Sequence, residues 1–105
     1  MKLAYPAIIT YCEEDNSYSI EFPDLQGCVS GGFSLIEAIE MGIDAASGWI
    51  LTEIEEGNAV PKASEPTKIK LPDNKSFINM LILDMDSYSE KYSSKCVRKN
   101  ITLPK

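Results

Sequence analysis

The chain has 105 residues, of which 44% are hydrophobic and 25% are charged, and its net charge is −6. This length is enough for a single domain around one core and excludes a large two-domain enzyme, while the composition excludes a wholly disordered chain. Because the sequence contains no histidine, it also excludes catalysis by an imidazole and most zinc sites.

The charges are unevenly distributed along the chain. Residues 1–60 carry eleven acidic side chains and one basic side chain, whereas residues 61–105 carry five acidic and nine basic side chains. An acidic first half repels nucleic acids and anionic membranes and attracts a basic protein. The sequence shows no signal peptide or membrane-spanning stretch, and its three cysteines lack the spacing of a metal or redox motif. We therefore expect a cytoplasmic protein that has no contact with membranes.

The first third of the chain predicts three short strands. Leu3–Cys12 and Ser17–Phe22 are rich in strand-forming residues and flank a polar cluster that favours a turn, so we expect a β-hairpin. Gly27–Gly32 follows as a third short strand, in which Cys28 and Val29 are the residues expected to be buried.

A long amphipathic helix follows these strands. Ser34 and Glu37 have the spacing of a capping box, and Gly57 lies where a left-handed residue ends a helix, so the pattern predicts a helix from about Ser34 to about Glu56. The apolar stripe comprises Leu35, Ile39, Gly42, Ile43, Ala46, Trp49, Ile50 and Ile54. We expect Trp49 to be buried against the second strand.

The remaining sequence predicts a loop, a strand, a short helix and a tail. Asn58–Lys75 contains three prolines and is expected to be a loop or an extended arm, and Phe77–Leu83 is an apolar run of strand length. Asp84 begins a short helix that reaches about residue 92, and Val97–Leu103 alternates apolar and polar residues as a strand does. The fold class is therefore α+β, an antiparallel sheet with one long helix packed across it and a C-terminal β-strand arm. We divide the chain into a domain of residues 1–92 and a hinge and arm of residues 93–105.

Three groups of residues are candidates for chemistry. Cys28 could be a nucleophile, but without a histidine to activate it the ordinary role is that of a small buried hydrophobic residue. The loop of residues 31–34 at a helix N-terminus could hold a phosphate, yet it lacks the lysine of a phosphate-binding loop. Four carboxylates could bind magnesium, or they could simply cap helices and contact solvent: Glu21, Asp24, Asp84 and Asp86. We expect no catalytic residue, no metal site and no cofactor.

The predicted strand of residues 97–103 has a composition typical of strands that contact DNA bases. Arg98, Asn100 and Thr102 share one face of it, and these residue types read base edges when they project from a two-stranded ribbon in the major groove. A lone strand with an apolar face is not stable by itself, so it would pair with the same strand of a second chain. The alternative is an extra edge strand on the preceding domain.

Several segments of the sequence resemble the HicB antitoxin family. The strongest is the stretch Phe22–Gly32, F-P-D-L-Q-G-C-V-S-G-G, followed by L-I-E-A from Leu35. Tyr5-Pro6-Ala7 and the pattern of glycine, proline and serine at 57, 61 and 64 also match. Lys99–Pro104 is similar to the opening strand of the ribbon–helix–helix domain that many members carry.

The resemblance implies a fold, a partner and a regulatory role. It implies a reduced relative of the ribonuclease H fold that neutralises HicA, a small basic toxin that cleaves mRNA, and that represses its own operon as a homodimer or higher homo-oligomer. Family members continue for two helices beyond the strand that ends near Lys105, so we expect operator binding only with residues beyond 105. A metal-dependent nuclease that uses the four carboxylates, and an oligomeric scaffold without a toxin, are the alternatives.

The charge pattern suggests where the toxin would bind. The acidic side chains of the first half have almost no bases near them in the sequence, so they should attract a cationic protein. The predicted toxin-binding residues lie in the hairpin turn, beside it and in the Pro-Asp loop: Tyr11, Glu13, Glu14, Asp15, Tyr18, Glu21 and Asp24.

Overall fold

The computed structural model describes residues 1–90, in which four strands form one antiparallel sheet and a helix packs across it. The elements in chain order are β1 (Lys2–Cys12), β2 (Ser17–Glu21), β3 (Val29–Gly32), α1 (Leu35–Glu55) and β4 (Ser76–Asp84). The strand order is β3-β2-β1-β4, and a single 3₁₀ turn, Pro66–Lys68, interrupts the segment between α1 and β4. The predicted α+β class is confirmed. Residues 85–90 are helical as expected, whereas the predicted strand over residues 97–103 lies outside the described residues.

The central strand, β1, accommodates a proline without losing a ladder hydrogen bond. The Met85 amide donates to the Met1 carbonyl and the Tyr11 amide donates to the Lys75 carbonyl, so the odd-numbered residues of β1 bond to β4. The nitrogen of Pro6 therefore points towards β2. Since β2 ends at Glu21, opposite Ile8, no carbonyl of that strand faces Pro6.

The core lies between one face of the sheet and α1. Alternate residues of the strands, and Phe22 directly after β2, are buried there because successive side chains of an extended chain point to opposite faces. These residues are Tyr5, Ala7, Ile9, Ile20, Phe22, Leu81 and Leu83. On the helix side, the side chains of Ala46 and Ile50 join this cluster. Gly42 is also buried, and a Cβ there would lie 2.7 Å from the Cδ1 atom of Ile20, so the absence of a side chain lets the helix approach the sheet closely.

The ends of α1 follow the local signals in the sequence. The Ser34 side chain accepts a hydrogen bond from the Glu37 amide at 3.1 Å, and the Glu37 carboxylate accepts one from the Phe33 amide at 2.7 Å. Glu56 is the C-cap and Gly57 adopts a left-handed conformation with a φ of 79°. The predicted helix is confirmed at both ends.

The prediction that Val29 is buried was wrong. Val29 is 65% exposed, because it pairs with Glu21 and so lies on the face of the sheet away from the core. Trp49 packs against the core as expected but is only partly buried, and its indole nitrogen donates to the Gln26 carbonyl at 3.0 Å. Two residues of the predicted apolar stripe, Leu35 and Ile54, are 37% and 39% exposed, since a first-turn side chain tilts back beyond the helix and Ile54 lies at the margin of the stripe.

Candidate functional site

A pair of tyrosines closes the end of the β1–β2 hairpin. Tyr11 and Tyr18 are opposite each other in the strand register, and their ring centroids are 5.1 Å apart at an interplanar angle of 53°. The Tyr11 hydroxyl donates to the Asn16 side chain at 2.6 Å, and Asn16 has the left-handed φ of 54° that the turn requires. These contacts fix the turn relative to the strands.

The acidic residues of this turn differ in their surroundings. The Glu13 carboxylate forms an ion pair with Lys75 at 3.0 Å, which ties the turn to the start of β4. Glu14 and Asp15 are exposed, and neither makes an ion pair within residues 1–90. Because the charges of Glu14 and Asp15 are not neutralised there, they are available to a basic partner.

An open cleft of about 620 Å³ lies between this turn, β3 and the start of α1. We call it the acidic cleft, and its lining includes Asp15, Tyr18, Gly32, Phe33, Glu37 and Met41. Phe33 is 78% exposed although it occupies the position before the helix cap, where an apolar residue often packs back onto the first turn. Met41 is 49% exposed, so the cleft presents apolar surface beside two carboxylates.

The residues of the acidic cleft are suited to binding a cationic side chain. Asp15 and Glu37 supply negative charge, and Tyr18 and Phe33 supply aromatic rings that attract lysine or arginine. Exposed aromatic residues and methionine are also the types that protein interfaces prefer.

The structure brings together only some of the residues predicted to contact a toxin. Tyr11, Glu13, Glu14, Asp15 and Tyr18 meet at the hairpin end, two of them in the acidic cleft itself. The other two residues, Glu21 and Asp24, lie elsewhere. Glu21 neighbours Val29 on the opposite face of the sheet.

Asp24 fastens the Pro-Asp loop to the segment that follows α1. Its carboxylate accepts hydrogen bonds from the Ser64 amide at 2.9 Å and from the Ser64 hydroxyl. Nearby, the Tyr5 hydroxyl donates to the Pro61 carbonyl. Burial, together with the negative charge of Asp24, raises the pKa of Tyr5 above its usual value. Asp24 therefore has a structural role that its position in the sequence did not reveal.

Sequence reasoning missed the apolar part of the acidic cleft. Phe33 and Met41 were not predicted as contact residues, and neither was Ile36, which is 72% exposed on the first turn of α1. Ile36 and Met41 are the large apolar residues of the first half of α1 that the predicted stripe leaves out. Apolar residues outside an otherwise consistent stripe were the available signal, because such residues do not contribute to the core.

The three candidate chemistries find no support in the described residues. Cys28 is 5% exposed, and burial raises the pKa of its thiol, which disfavours the nucleophilic thiolate. At the helix N-terminus, the Phe33 and Glu37 amides already donate to side chains of the chain itself, which takes two of the donors that a phosphate would use.

The four carboxylates considered for magnesium do not converge. Glu21 lies opposite Ile8 of β1, and Asp84 lies opposite Lys2 of the same strand. Because Lys2 and Ile8 are six residues apart, Glu21 and Asp84 are separated by roughly 20 Å along the strand direction. No group of three or more cysteine, aspartate or glutamate side chains in residues 1–90 is arranged to hold a metal ion. Within the same residues, no helix is both long and apolar enough to cross a membrane.

Comparison with known proteins agrees with the fold. The family model described as the HicB_like antitoxin of bacterial toxin-antitoxin system matches residues 5–105. The chain belongs to the HicB-like antitoxin family. It is also 30% identical, over 103 residues, to a 14.9 kDa protein of the rep-hol intergenic region of Haemophilus phage HP1, covering 97% of this chain and 74% of the phage protein.

Two solved structures show the same architecture. A toxin–antitoxin complex from Streptococcus pneumoniae contains a chain with a TM-score of 0.80 and 27% identity, over 99% of this chain and 82% of that one. A chain of the HicA3 and HicB3 toxin–antitoxin complex has a TM-score of 0.62 and 22% identity, over 78% of this chain and 99% of that one. The latter likeness concerns the fold alone.

The HicB-like signature stretch serves the fold of this chain. Phe22, Leu25 and Cys28 are buried, and backbone hydrogen bonds of 3.2, 3.0 and 2.9 Å join them in a closed loop. Gly27 provides the left-handed φ of 80° that this loop needs, and Gly32 lets β3 lie against α1. The buried residues of the signature therefore serve the core, while Gly32 and Glu37 of the same signature also line the acidic cleft.

Proposed function

We propose that this protein is a cytoplasmic, non-enzymatic antitoxin that binds and neutralises a small basic HicA-like toxin that cleaves mRNA. Membership of the HicB-like family and the likeness to a chain of the pneumococcal toxin–antitoxin complex support this role. The observation that carries it is the acidic cleft, where exposed apolar side chains lie beside carboxylates. A cleft of this composition is complementary to a basic protein surface that carries apolar residues among its positively charged side chains.

Neutralisation follows from competition for the same positive charge. An enzyme that cuts RNA needs basic side chains to hold the phosphate backbone. The acidic residues of the hairpin turn and the acidic cleft offer those side chains an alternative partner, and a bound antitoxin excludes the RNA. The cleft needs no catalytic group for this role, because occupancy alone blocks the enzyme.

The apolar residues of the acidic cleft are expected to contribute most of the affinity. Aromatic side chains that become fully covered in an interface commonly account for 2 kcal/mol or more each, whereas rim charges mainly affect association rates. Phe33 is the most exposed large hydrophobic residue of the described chain and lies in the cleft. Asp15 and Tyr18 line the cleft with it, and Tyr11, Glu13 and Glu14 at the adjoining hairpin end are the further proposed toxin contacts. Glu21 and Asp24 would contact only a toxin that extends beyond the cleft.

Binding of the toxin encoded by the neighbouring gene tests this proposal. A catalytically inactive toxin should co-purify with the protein, and Phe33→Ala should weaken the complex about 30-fold or more in calorimetry. Val29→Ala is the matched control, because Val29 is similarly exposed but lies on the other face of the sheet. Absence of a complex would overturn the function, whereas equal affinities for both variants would overturn only the assignment of the surface.

We further propose that the tail takes part in operator binding. Residues 61–105 are basic, and Arg98, Asn100 and Thr102 alternate with apolar residues as in a DNA-reading ribbon. In a protein that carries the two helices expected after this strand, Asn100→Ala should lose discrimination between operator and scrambled DNA while keeping most non-specific affinity. Fluorescence anisotropy measures both. Specific binding by residues 1–105 alone, or undiminished discrimination by Asn100→Ala, would contradict this part of the proposal.

A further inference from the structure

A second cleft, of about 320 Å³, lies between α1, the end of β4 and the helical turn that follows β4. We call it the α1–β4 cleft, and its lining within the described residues contains the carboxylates of Glu40, Asp44 and Asp84 but no lysine or arginine. Glu40 and Asp44 are one turn apart on α1, are exposed, and form no ion pair within residues 1–90. Asp84 lies opposite Lys2 in the sheet, so its charge is partly offset. The negative charge of the cleft is therefore concentrated on α1.

A buried hydroxyl group that faces this cleft has no hydrogen-bond partner. Ser47 lines the cleft and is 2% exposed, and its hydroxyl makes no hydrogen bond within the described part of the chain. By contrast, the Thr52 hydroxyl of the same helix donates to the Gly48 carbonyl at 2.9 Å. Buried polar groups are nearly always hydrogen-bonded, so an unpaired hydroxyl beside a cleft indicates a ligand that would complete it. A cationic N–H donor would satisfy this hydroxyl and the carboxylates of α1 together.

Two isoleucines give the cleft apolar surface between its polar groups. Ile43 is partly buried against the core, and Ile82 is 62% exposed. A lysine side chain has a four-carbon apolar stem that lies along such surface while its ammonium group contacts polar atoms. A metal ion fits less well, because no group of three or more carboxylates in residues 1–90 is arranged to hold one. The lining therefore favours the side chain of a lysine.

The chain itself supplies lysines next to the cleft. Residues 91–105 contain four lysines, one arginine and no acidic residue. Tyr88, which lines the cleft, lies three residues before Lys91 and seven residues before Lys95. Seven residues of extended chain span at most about 25 Å, whereas the wall that α1 contributes to the cleft is roughly 10 Å long, so both lysines can reach it. A tethered segment of this kind has an effective concentration on the order of millimolar, which makes weak contacts sufficient.

We propose that the basic segment of residues 91–99 docks in the α1–β4 cleft, where the carboxylates of α1 and the buried hydroxyl bind the ammonium groups of Lys91 and Lys95. The contact is electrostatic and partly exposed, so salt weakens it. Docking does not depend on the function proposed above. One consequence does rest on the proposed operator binding: a docked tail withholds its basic side chains from DNA until DNA displaces the acidic surface.

A nitroxide label on Cys96 tests docking in the full chain. Cys12→Ser removes the other accessible thiol, and Cys28 is 5% exposed and so escapes labelling. A docked tail should broaden the amide NMR signals of residues 40–44, at the end of the cleft away from Tyr88. An undocked tail would broaden only signals near its attachment, and this outcome in the wild-type chain overturns the proposal.

Neutral substitutions in the cleft give the matched comparison. Glu40→Gln combined with Asp44→Asn, the cleft variant, should lose most of the broadening, because it removes the charges that bind the lysines. Glu14→Gln combined with Glu21→Gln, the control variant, changes the net charge equally at exposed positions outside the cleft and should keep the broadening. Equal broadening in the two variants overturns the proposal.

A charge exchange identifies the lysines. Glu40→Lys combined with Asp44→Lys should abolish the broadening, because the cleft then repels the tail. Adding Lys91→Glu and Lys95→Glu to that variant reverses both partners and should restore most of it. A variant in which all four charges are exchanged and which shows no recovery overturns the assignment of these two lysines.

The consequence for DNA is tested in the protein that carries the two helices expected after residue 105. Scrambled DNA should bind the cleft variant about threefold more tightly than the control variant, since the two have the same net charge and differ only in docking. Equal affinities would show that docking does not withhold the tail and overturn this consequence. Absence of DNA binding by both variants would contradict the operator proposal instead, and the label on Cys96 decides docking independently of it.

Discussion

Asp24 links two loops that are far apart in sequence. Its carboxylate accepts two hydrogen bonds from Ser64, and both residues belong to segments that resemble the HicB signature. A carboxylate that accepts a backbone amide and a hydroxyl holds the chain after α1 against the Pro-Asp loop. At these two positions the resemblance to the family is explained by folding, with no reference to a partner.

Removal of either side chain should destabilise the fold. We expect Asp24→Ala and Ser64→Ala each to lower the free energy of unfolding by about 1–2 kcal/mol, and the double variant to lose less than the sum, because the two groups bond to each other. Urea denaturation measures this coupling. Glu21→Ala, an exposed carboxylate three residues earlier, should change stability by less than about 0.5 kcal/mol. If Asp24→Ala retains full stability and loses toxin affinity instead, Asp24 is a contact residue.

The buried ionisable groups predict how stability depends on pH. Burial raises the pKa of Cys28 and, together with Asp24, that of Tyr5. In the unfolded chain these groups lose their protons near pH 9 and pH 10, whereas the folded state retains them. The folded state therefore binds more protons above pH 9, and the free energy of unfolding should fall as the pH rises.

Denaturation at pH 8, 9 and 10 tests this sign. Cys28→Ala should reduce the loss of stability between pH 8 and pH 10, because it removes the first group to titrate. A variant that loses as much stability as the wild type over that interval would show that Cys28 does not contribute. Alkylation gives an independent check, since Cys28 should react much more slowly than the partly exposed Cys12.

At the scale of the elements, features that depend on local signals were predictable from the sequence, whereas features that depend on tertiary contacts were not. The capping box at Ser34 and the glycine at Gly57 act within a few residues, so both ends of α1 were predictable. The exposure of Val29 depends on its pairing with Glu21 across two strands, which no local pattern encodes. The acidic cleft was missed for the same reason, because it forms only when the hairpin turn, β3 and the start of α1 come together.

The junction of β3 and α1 should tolerate no side chain. A Cβ atom at Gly32 would lie 2.7 Å from the Ala38 amide nitrogen, which belongs to the backbone and cannot move aside easily. We expect Gly32→Ala to lower the free energy of unfolding by about 2–3 kcal/mol in urea denaturation. Gly57→Ala is the comparison, because Gly57 has open space around it and a positive φ, so its cost should be roughly 1 kcal/mol. A smaller effect at Gly32 than at Gly57 would contradict the close packing described for this junction.

In the folded molecule, the acidic residues of the first half of the chain include two separate groups. The hairpin turn and the acidic cleft concentrate acidic side chains at one end of the sheet, and the cluster of Glu53, Glu55 and Glu56 lies at the other end of α1. The sequence predicted an acidic first half, but not which of its acids would lie beside exposed apolar residues. Steering by charge depends on where charges lie as well as on their sum.

Charge reversal in the hairpin turn should therefore slow toxin association. Replacing Glu13, Glu14 and Asp15 together by lysine should lower the association rate constant about tenfold at low salt and flatten its dependence on ionic strength, because steering acts on the encounter of the two proteins. Stopped-flow fluorescence measures both quantities. The dissociation rate should change less, since rim charges contribute little once the complex has formed.

The control for this variant changes the net charge equally at a different place. Replacing Glu53, Glu55 and Glu56 by lysine adds the same positive charge near the C-terminal end of α1, where a helix favours cations. If only the overall charge mattered, both triple variants would slow association to the same extent. If the hairpin turn and the acidic cleft receive the toxin, the turn variant should be much slower than the helix variant at low salt, and the difference should disappear at high salt as screening removes the field. An unchanged association rate for the turn variant at low salt would place the toxin on another surface.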